Sequence, residues 1–175
     1  MRKIALLTTA AVIAGSAVVM TQNPMQRTFQ EILSGDEEVP IVLTTAQGVL
    51  TATTNDAETE IAYKLTYSGL ETDATQAHIH IGQTKVNGGI SAWLCSNLPS
   101  PPTPAGVQPC PVRAGEIEGV IRSSDVVGPA AQGVVAGDFD RLLAAMRAGQ
   151  AYVNVHSTRS QGGEIRSQID HNGHR

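Results

Sequence analysis

The chain contains few aromatic residues and few basic ones. Its 175 residues include six aromatic side chains, and 12 Lys and Arg residues stand against 16 Asp and Glu residues, for a formal net charge of −4 at pH 7. Binding to nucleic acid depends on a basic surface, and single strands also need aromatic rings on which their bases stack. We therefore expect no nucleic-acid partner.

Long apolar runs are also scarce. After residue 20, no stretch approaches the roughly 20 apolar residues that a transmembrane helix needs. At the N-terminus, a basic pair at residues 2–3 precedes an apolar run over residues 4–14 and small residues at 15–17. This order is typical of a secretory signal peptide, with cleavage after residue 17. An uncleaved anchor is the alternative, because the apolar run counted over residues 4–20 has 17 residues, the short limit for spanning a bilayer.

We assign residues 1–20 to this signal segment and expect the protein to be exported to the periplasm or the extracellular space. Without Arg2 and Lys3, 10 basic residues remain against 16 acidic ones, so the exported part has a net charge near −6. About 150 residues are enough for one domain with its own hydrophobic core. No membrane association is expected beyond the signal segment.

Cysteine is nearly absent. Cys95 and Cys110 are the two cysteines of the chain, and the segment between them is rich in Pro, Ser and Gly. In an oxidising compartment such a pair predicts a disulfide, which here would close a loop of 16 residues. A structural zinc site is the alternative, but it usually needs four ligands at closer spacings.

In most of the exported part, apolar and polar residues alternate with a period of two, which is typical of β-strands. Turn residues separate the segments every 8 to 15 residues. We therefore predict an all-β fold, an antiparallel β-sandwich or barrel of the Greek-key, immunoglobulin-like or superoxide-dismutase-like kind. The predicted strands are TFQEIL, VPIVLTT, GVLTATT, TEIAYKLTY, QAHIHIG, GISAWLC, GEIEGVI, AYVNVH and GGEIRSQI.

One segment has helical spacing instead. In GDFDRLLAAMRAG, Leu142, Leu143 and Met146 recur at the interval of one helix face. Asp138 is placed to cap the first turn, and Gly149 to end the last one. These signals predict one short helix over residues 138–148, packed with its apolar side on the β-structure.

Five histidines are the main candidates for chemistry. His78 and His80 lie one residue apart in a predicted strand, so both side chains point to the same face. In the later segment YVNVH, Asn154 and His156 share the polar face while the valines share the other. Both strands place apolar residues at odd numbers, so a shared core would bring the two polar faces together. The remaining histidines, His171 and His174, belong to the polar tail DHNGHR.

Three interpretations of this polar group stay open. The first is a metal site in which His78, His80 and His156 hold copper or zinc. Glu164 would be a fourth ligand or would orient one imidazole. The second is a structural network of Asn154, Glu164 and Arg166 with the histidines. The third is catalysis, for which no residue is nominated, because the chain contains none of the usual nucleophile, zinc-protease or phosphate-loop motifs.

Several segments together resemble the CHRD (chordin) domain family, which includes exported bacterial proteins. They are FQEILSGDEEVP, AHIHIG, WLC with a later CP, DVVGPAAQGVVAGDF and AGQAYVNVHSTRSQGGEIRSQI. The combination of AHIH, YVNVH and GEIR is more specific than any piece alone. One departure is Ser167, where the family pattern usually has glycine. The resemblance places the domain over residues 28–170 and leaves 171–175 as a polar tail.

The resemblance implies an all-β extracytoplasmic domain without an established enzyme activity. The function expected from it is an exported binding or interaction module whose protein or surface partner the sequence does not identify. The alternative is a periplasmic or extracellular copper- or zinc-binding domain that uses the three histidines. No other cofactor is expected.

Overall fold

The structure, a computed structural model, describes residues 27–170, which form eight β-strands and one α-helix. The predicted signal segment and the polar tail lie outside the described residues. The strands are β1 (Thr28–Ser34), β2 (Gln47–Thr54), β3 (Ile61–Ser68), β4 (Ala74–Ile81), β5 (Gly89–Ser96), β6 (Gly115–Ile121), β7 (Ala151–Ser157) and β8 (Ile165–Ile169). The helix α1 spans Phe139–Arg147, and short 3-10 turns lie at Gly35–Glu37, Ser123–Asp125 and Ala130–Gln132.

All eight strands belong to a single antiparallel sheet that curls into a nearly closed barrel. Their order is β5-β4-β7-β8-β1-β2-β3-β6. At the seam between β5 and β6, the side-chain amide of Gln108 donates to the carbonyls of Leu94 and Glu118, at 3.2 and 3.0 Å. The all-β antiparallel prediction is confirmed, and the barrel describes the arrangement better than two separate sheets do.

Alternating side chains build the barrel core. In β3, Ile61, Tyr63, Leu65 and Tyr67 are buried, whereas the residues between them are more exposed. This is the pattern of a strand with one face in the core and one in water. The odd-numbered residues of β4 and β7 point to the same interior, and Ile79 and Val153 are fully buried there.

The predicted helix is confirmed. The side chain of Asp138 accepts a hydrogen bond from the backbone nitrogen of Arg141 at 3.2 Å, which caps the first turn. Leu142, Leu143 and Met146 are buried, so the apolar face of α1 belongs to the core. Gly149 follows the helix with a positive φ of 66°, a conformation that favours glycine.

The segment VPIVLTT, residues 39–45, was predicted as a strand and is irregular instead. Both edges of β1 are already paired, with β2 and with β8, so the ladder offers this segment no free edge there. Its backbone is anchored locally, since the nitrogen of Val42 donates to the carbonyl of Gly35 at 2.9 Å. The alternation survives in its side chains, because Ile41 and Leu43 are exposed by 63 % and 83 %.

Strands β4, β7 and β8 differ from the others because both of their faces are buried. Every residue of β7 and β8 is buried, as is β4 from Ala77 onward. The inner face is apolar, but the outer face carries imidazole, amide and guanidinium groups. Two loops contact this outer face, residues 35–46 and 82–88. The polar side chains are therefore held between the barrel wall and the loops rather than in solvent.

The predicted disulfide between Cys95 and Cys110 is present, with Cα atoms 5.0 Å apart. The loop it closes has further anchors: Asn97 donates from its side chain to the carbonyl of Cys110 at 3.1 Å and accepts from the nitrogen of Cys110 at 3.0 Å. Between residues 27 and 170, the structure has no helix with the length and hydrophobicity needed to span a lipid bilayer.

Replacing Cys95 and Cys110 together by alanine should lower the free energy of unfolding by about 2–4 kcal/mol, because the unfolded chain regains the freedom of a 16-residue loop. The fold should survive, since Asn97 still holds the ends of the loop. Urea unfolding followed by the fluorescence of Trp93 measures this. An unchanged midpoint, or a variant that is unfolded without denaturant, would show that the cross-link has another role.

Candidate metal centre

The pairing of β4 with β7 brings the three histidines together. In the antiparallel register, His78 lies opposite Asn154, and Gln76 lies opposite His156. His78 and His156 are therefore diagonal neighbours on one face, within reach of aromatic side chains. His80 follows two residues along the same strand, opposite Tyr152. The predicted adjacency of the two strands is confirmed.

One ring nitrogen from each of His78, His80 and His156 lies within 4.8 Å of the other two. The shortest approach is 3.3 Å, between Nδ1 of His78 and Nε2 of His156. The ring of His78 is edge-on to both other rings, with centroids 5.2 Å from His80 and 5.0 Å from His156. All three side chains are buried.

Backbone carbonyls determine which nitrogen of two rings is protonated. Nδ1 of His80 lies 3.0 Å from the carbonyl oxygen of Gly88, and Nδ1 of His156 lies 2.9 Å from that of Gln161. A carbonyl only accepts, so each neutral ring must carry its proton on Nδ1. The lone pair of each ring is then on Nε2. Histidines that bind metal ions commonly have this arrangement, with one nitrogen donating to a carbonyl and the other facing the ion.

The inner nitrogens have one possible donor among them, Nδ1 of His78, which lies 3.3 Å from Nε2 of His156. Among residues 27–170, Nε2 of His78 and Nε2 of His80 are buried without a hydrogen-bond partner. Nε2 of His156 lies 3.0 Å from Oδ1 of Asn154, which is itself an acceptor. Buried polar atoms are nearly always satisfied, so such a convergence of acceptors needs an explanation. A cation bound to Nδ1 of His78 and to Nε2 of His80 and His156 would take up three lone pairs, and Nε2 of His78 would then carry the proton of that ring.

Aromatic packing fixes the orientation of the imidazoles. The ring of Trp93 lies edge-on to His78 with centroids 4.3 Å apart. His80 stacks on Tyr152, with centroids 4.6 Å apart and planes 2° from parallel. Arg166 covers the same tyrosine ring, with its guanidinium carbon 3.4 Å from the centroid. Such a cation–π contact is stronger when water is excluded, as it is here.

Arg166 also fastens the loop over residues 82–88. Its guanidinium donates to the carbonyl of Val86 at 3.0 Å and to Oδ1 of Asn87 at 3.1 Å. Asn87 in turn donates to the carbonyl of Val39 at 2.7 Å, which joins this loop to the loop over residues 35–46. The two loops therefore form one cover over the histidines.

Glu38 supplies the carboxylate nearest to Arg166 and Asn154. Burial raises the pKa of Glu38 to about 7, although the Arg166 charge and a hydrogen bond from the Asn154 side chain act in the opposite direction. Gly163 makes room for this carboxylate: its φ is +129°, and a Cβ there would overlap both Glu38 and Asn154. The amide nitrogen of Asn154 thus points to Glu38 and its oxygen to His156.

Glu164 has other partners than those expected. Its Oε1 accepts from Oγ1 of Thr44 at 3.0 Å and from the backbone nitrogen of Glu71 at 2.9 Å. These bonds tie β8 to two loops. Of the predicted polar cluster, Asn154 and Arg166 lie opposite each other in the β7–β8 register and surround the histidines, whereas the bonds of Glu164 lead away from them.

Burial keeps the imidazoles neutral. Desolvation lowers the pKa of His78 far below its ordinary value of 6.5, and charge on His156 or His80 would lower it further. Desolvation also lowers the pKa of His80 to about 4, partly opposed by the bond to Gly88. The pKa of His156 is lowered for the same reason. Neutral imidazole is the form that binds metal ions.

Several residues of the site were not singled out by the sequence. Tyr152 has the same parity as Asn154 and His156, a signal that could have identified it. Glu38 and Asn87 lie in loops, where no periodicity indicates which way a side chain points. Their contribution follows only from the folded position of the loops.

Residues 29–169 match the model of the CHRD domain family. No curated protein and no solved structure matches the chain. The family and the Cys95–Cys110 disulfide are both consistent with an exported protein. Because the match covers most of its length, the chain belongs to the CHRD domain family.

Proposed function

We propose that this chain is an exported metal-binding domain that holds one copper or zinc ion between His78, His80 and His156. The family, the disulfide and the signal-like N-terminal pattern support a location in the periplasm or outside the cell. The binding role is carried by one observation, the convergence of three buried imidazoles, two of which have an Nε2 atom without a hydrogen-bond partner.

The spacing of the ring nitrogens supports this role. Two nitrogens bound to one ion at 2.0–2.1 Å are separated by about 3.3–3.6 Å. Nδ1 of His78 and Nε2 of His156 are already 3.3 Å apart. The nitrogen of His80 lies within 4.8 Å of both, so a side-chain shift of about an ångström completes a three-nitrogen site.

The chemistry of the donors limits the choice of ion. Three imidazoles without a carboxylate or a thiolate suit copper and zinc, whereas calcium and magnesium prefer oxygen ligands. The tautomers of His80 and His156 are set by Gly88 and Gln161 before an ion arrives. Such preorganised ligands bind with a smaller ordering cost.

The rival function is a non-enzymatic interaction module in which the histidines serve only as a hydrogen-bonded support for the loops. The exposed Ile41 and Leu43 of the irregular segment favour it, since they are large apolar side chains on the loop that covers the site. A domain of this kind would not need a metal ion, so metal binding separates the two functions.

Replacing His80 by phenylalanine should weaken the binding of copper and of zinc by more than about a hundredfold, because a ligand is lost. Phenylalanine retains a flat ring that can stack on Tyr152, so the packing changes little. Isothermal titration calorimetry with chelator competition measures the affinity. His171→Ala is the control, since it removes an imidazole from the polar tail.

The variants separate the explanations cleanly. Loss of binding in His80→Phe but not in His171→Ala supports the site. Equal affinities in both variants would move any bound ion away from the cluster and leave the histidines with a structural role. Circular dichroism confirms that both variants are folded before the titration.

Metal binding should persist to unusually acidic pH. Protons compete with the ion only when an imidazole titrates, and burial lowers the pKa of His80 to about 4 and that of His156 below 6.5. The affinity should therefore decline at a lower pH than the 6.5 at which exposed histidines titrate, and be lost as the pH falls through the lowered pKa values. Competition titrations at a series of pH values measure this. An affinity that declines with a midpoint near 6.5 would indicate exposed histidines instead.

A further inference from the structure

We propose that the ion preferred by this centre is copper(I), bound by three imidazole nitrogens, rather than a divalent ion. This inference rests on the proposed function, because it concerns the same three histidines. It follows from the charge of the surroundings and from the number of ligands that the fold supplies.

The ligands bring no negative charge to the ion. Three neutral imidazoles leave the full charge of the ion in place, and no carboxylate of residues 27–170 belongs to the same group of ligand atoms. Glu164 accepts from Thr44 and from the backbone of Glu71. Glu38 lies beside the amide of Asn154.

Burial makes this uncompensated charge costly. The free energy of moving an ion out of water rises with the square of its charge, so a divalent ion loses about four times as much solvation as a monovalent one. His78, His80 and His156 are exposed by 0 %, 7 % and 5 %, so little water remains to offset the loss. Neutral imidazoles return less of that solvation to a divalent ion than carboxylates or thiolates would, which favours the ion of lower charge.

A fixed positive charge strengthens this preference. The guanidinium of Arg166 covers one face of the Tyr152 ring, and His80 stacks on the other face. The cation is thus one aromatic ring away from a ligand, in a region of low dielectric. Its repulsion of a bound ion doubles when the charge of that ion doubles.

The ligand count points the same way. Copper(I) is stable with three nitrogens in a plane, whereas zinc usually completes a tetrahedron with a fourth ligand. On the inner side of the rings, Oδ1 of Asn154 lies 3.0 Å from Nε2 of His156. A neutral amide oxygen is a poor substitute for the carboxylate, thiolate or water of common zinc sites.

Trp93 provides a reporter of the occupied centre. It is the single tryptophan of the chain, and its ring centroid lies 4.3 Å from that of His78. Copper bound to His78 should quench its fluorescence, whereas zinc, which has no redox chemistry, should change the intensity much less. His80→Phe shows whether the quenching depends on the cluster.

The protein is titrated with copper(I) in the absence of oxygen, with the copper supplied from a coloured chelator of known affinity. Separate titrations use zinc(II) and copper(II). We expect copper(I) to bind with a stoichiometry of one, at least about a hundredfold more tightly than zinc. It should quench Trp93, and His80→Phe should abolish both effects while His171→Ala leaves them unchanged.

The outcomes distinguish this inference from the function on which it rests. Zinc or copper(II) bound at the cluster as tightly as copper(I) would overturn the preference and retain the metal-binding role. If none of the ions binds in a way that His80→Phe abolishes, both the copper(I) preference and the metal-binding function are wrong. The comparison of ions on the unaltered protein decides the preference even where a variant fails to fold.

Discussion

Arg166 lies on the ring of Tyr152 and donates to Val86 and Asn87, and these contacts hold a loop closed over a polar face of the barrel. A buried guanidinium is costly unless it is paired, and its removal leaves several acceptors without a donor. Asn87 passes the connection on to the second loop. The cover in turn removes water from the histidines, so these contacts help to keep the imidazoles neutral.

The same exclusion of water explains why the histidine cluster contains buried ring nitrogens without a hydrogen-bond partner. Gly88 and Gln161 present carbonyls to two imidazoles, which places the lone pairs on the inner nitrogens. An exposed site would fill such positions with water. Here they converge on Nδ1 of His78 and on Asn154, an arrangement in which a bound metal ion would supply positive charge. The packing of the two loops over the histidines therefore also sets the chemistry of the ring nitrogens, because it excludes water from them.

Much of this arrangement follows from residue parity. Alternation predicts that His78 and His80 share a face and that Asn154 and His156 share another, and the shared core then brings the faces together. Parity does not give the register that sets His78 opposite Asn154, nor the two loops that cover the face. Residues 39–45 alternate like a strand and yet form part of that cover, because β1 has no free edge to pair with them. The partners of Glu164 depend on Thr44 and Glu71, whose positions are set by tertiary contacts.

The most direct test of the account is the location of the ion. Crystals of the protein loaded with copper or with zinc, measured at the absorption edge of that metal, give an anomalous difference map that locates it. The account predicts one strong peak about 2.0–2.1 Å from a nitrogen of each of His78, His80 and His156. A map with its peak elsewhere in the molecule, or with none at the cluster under saturating metal, would contradict it.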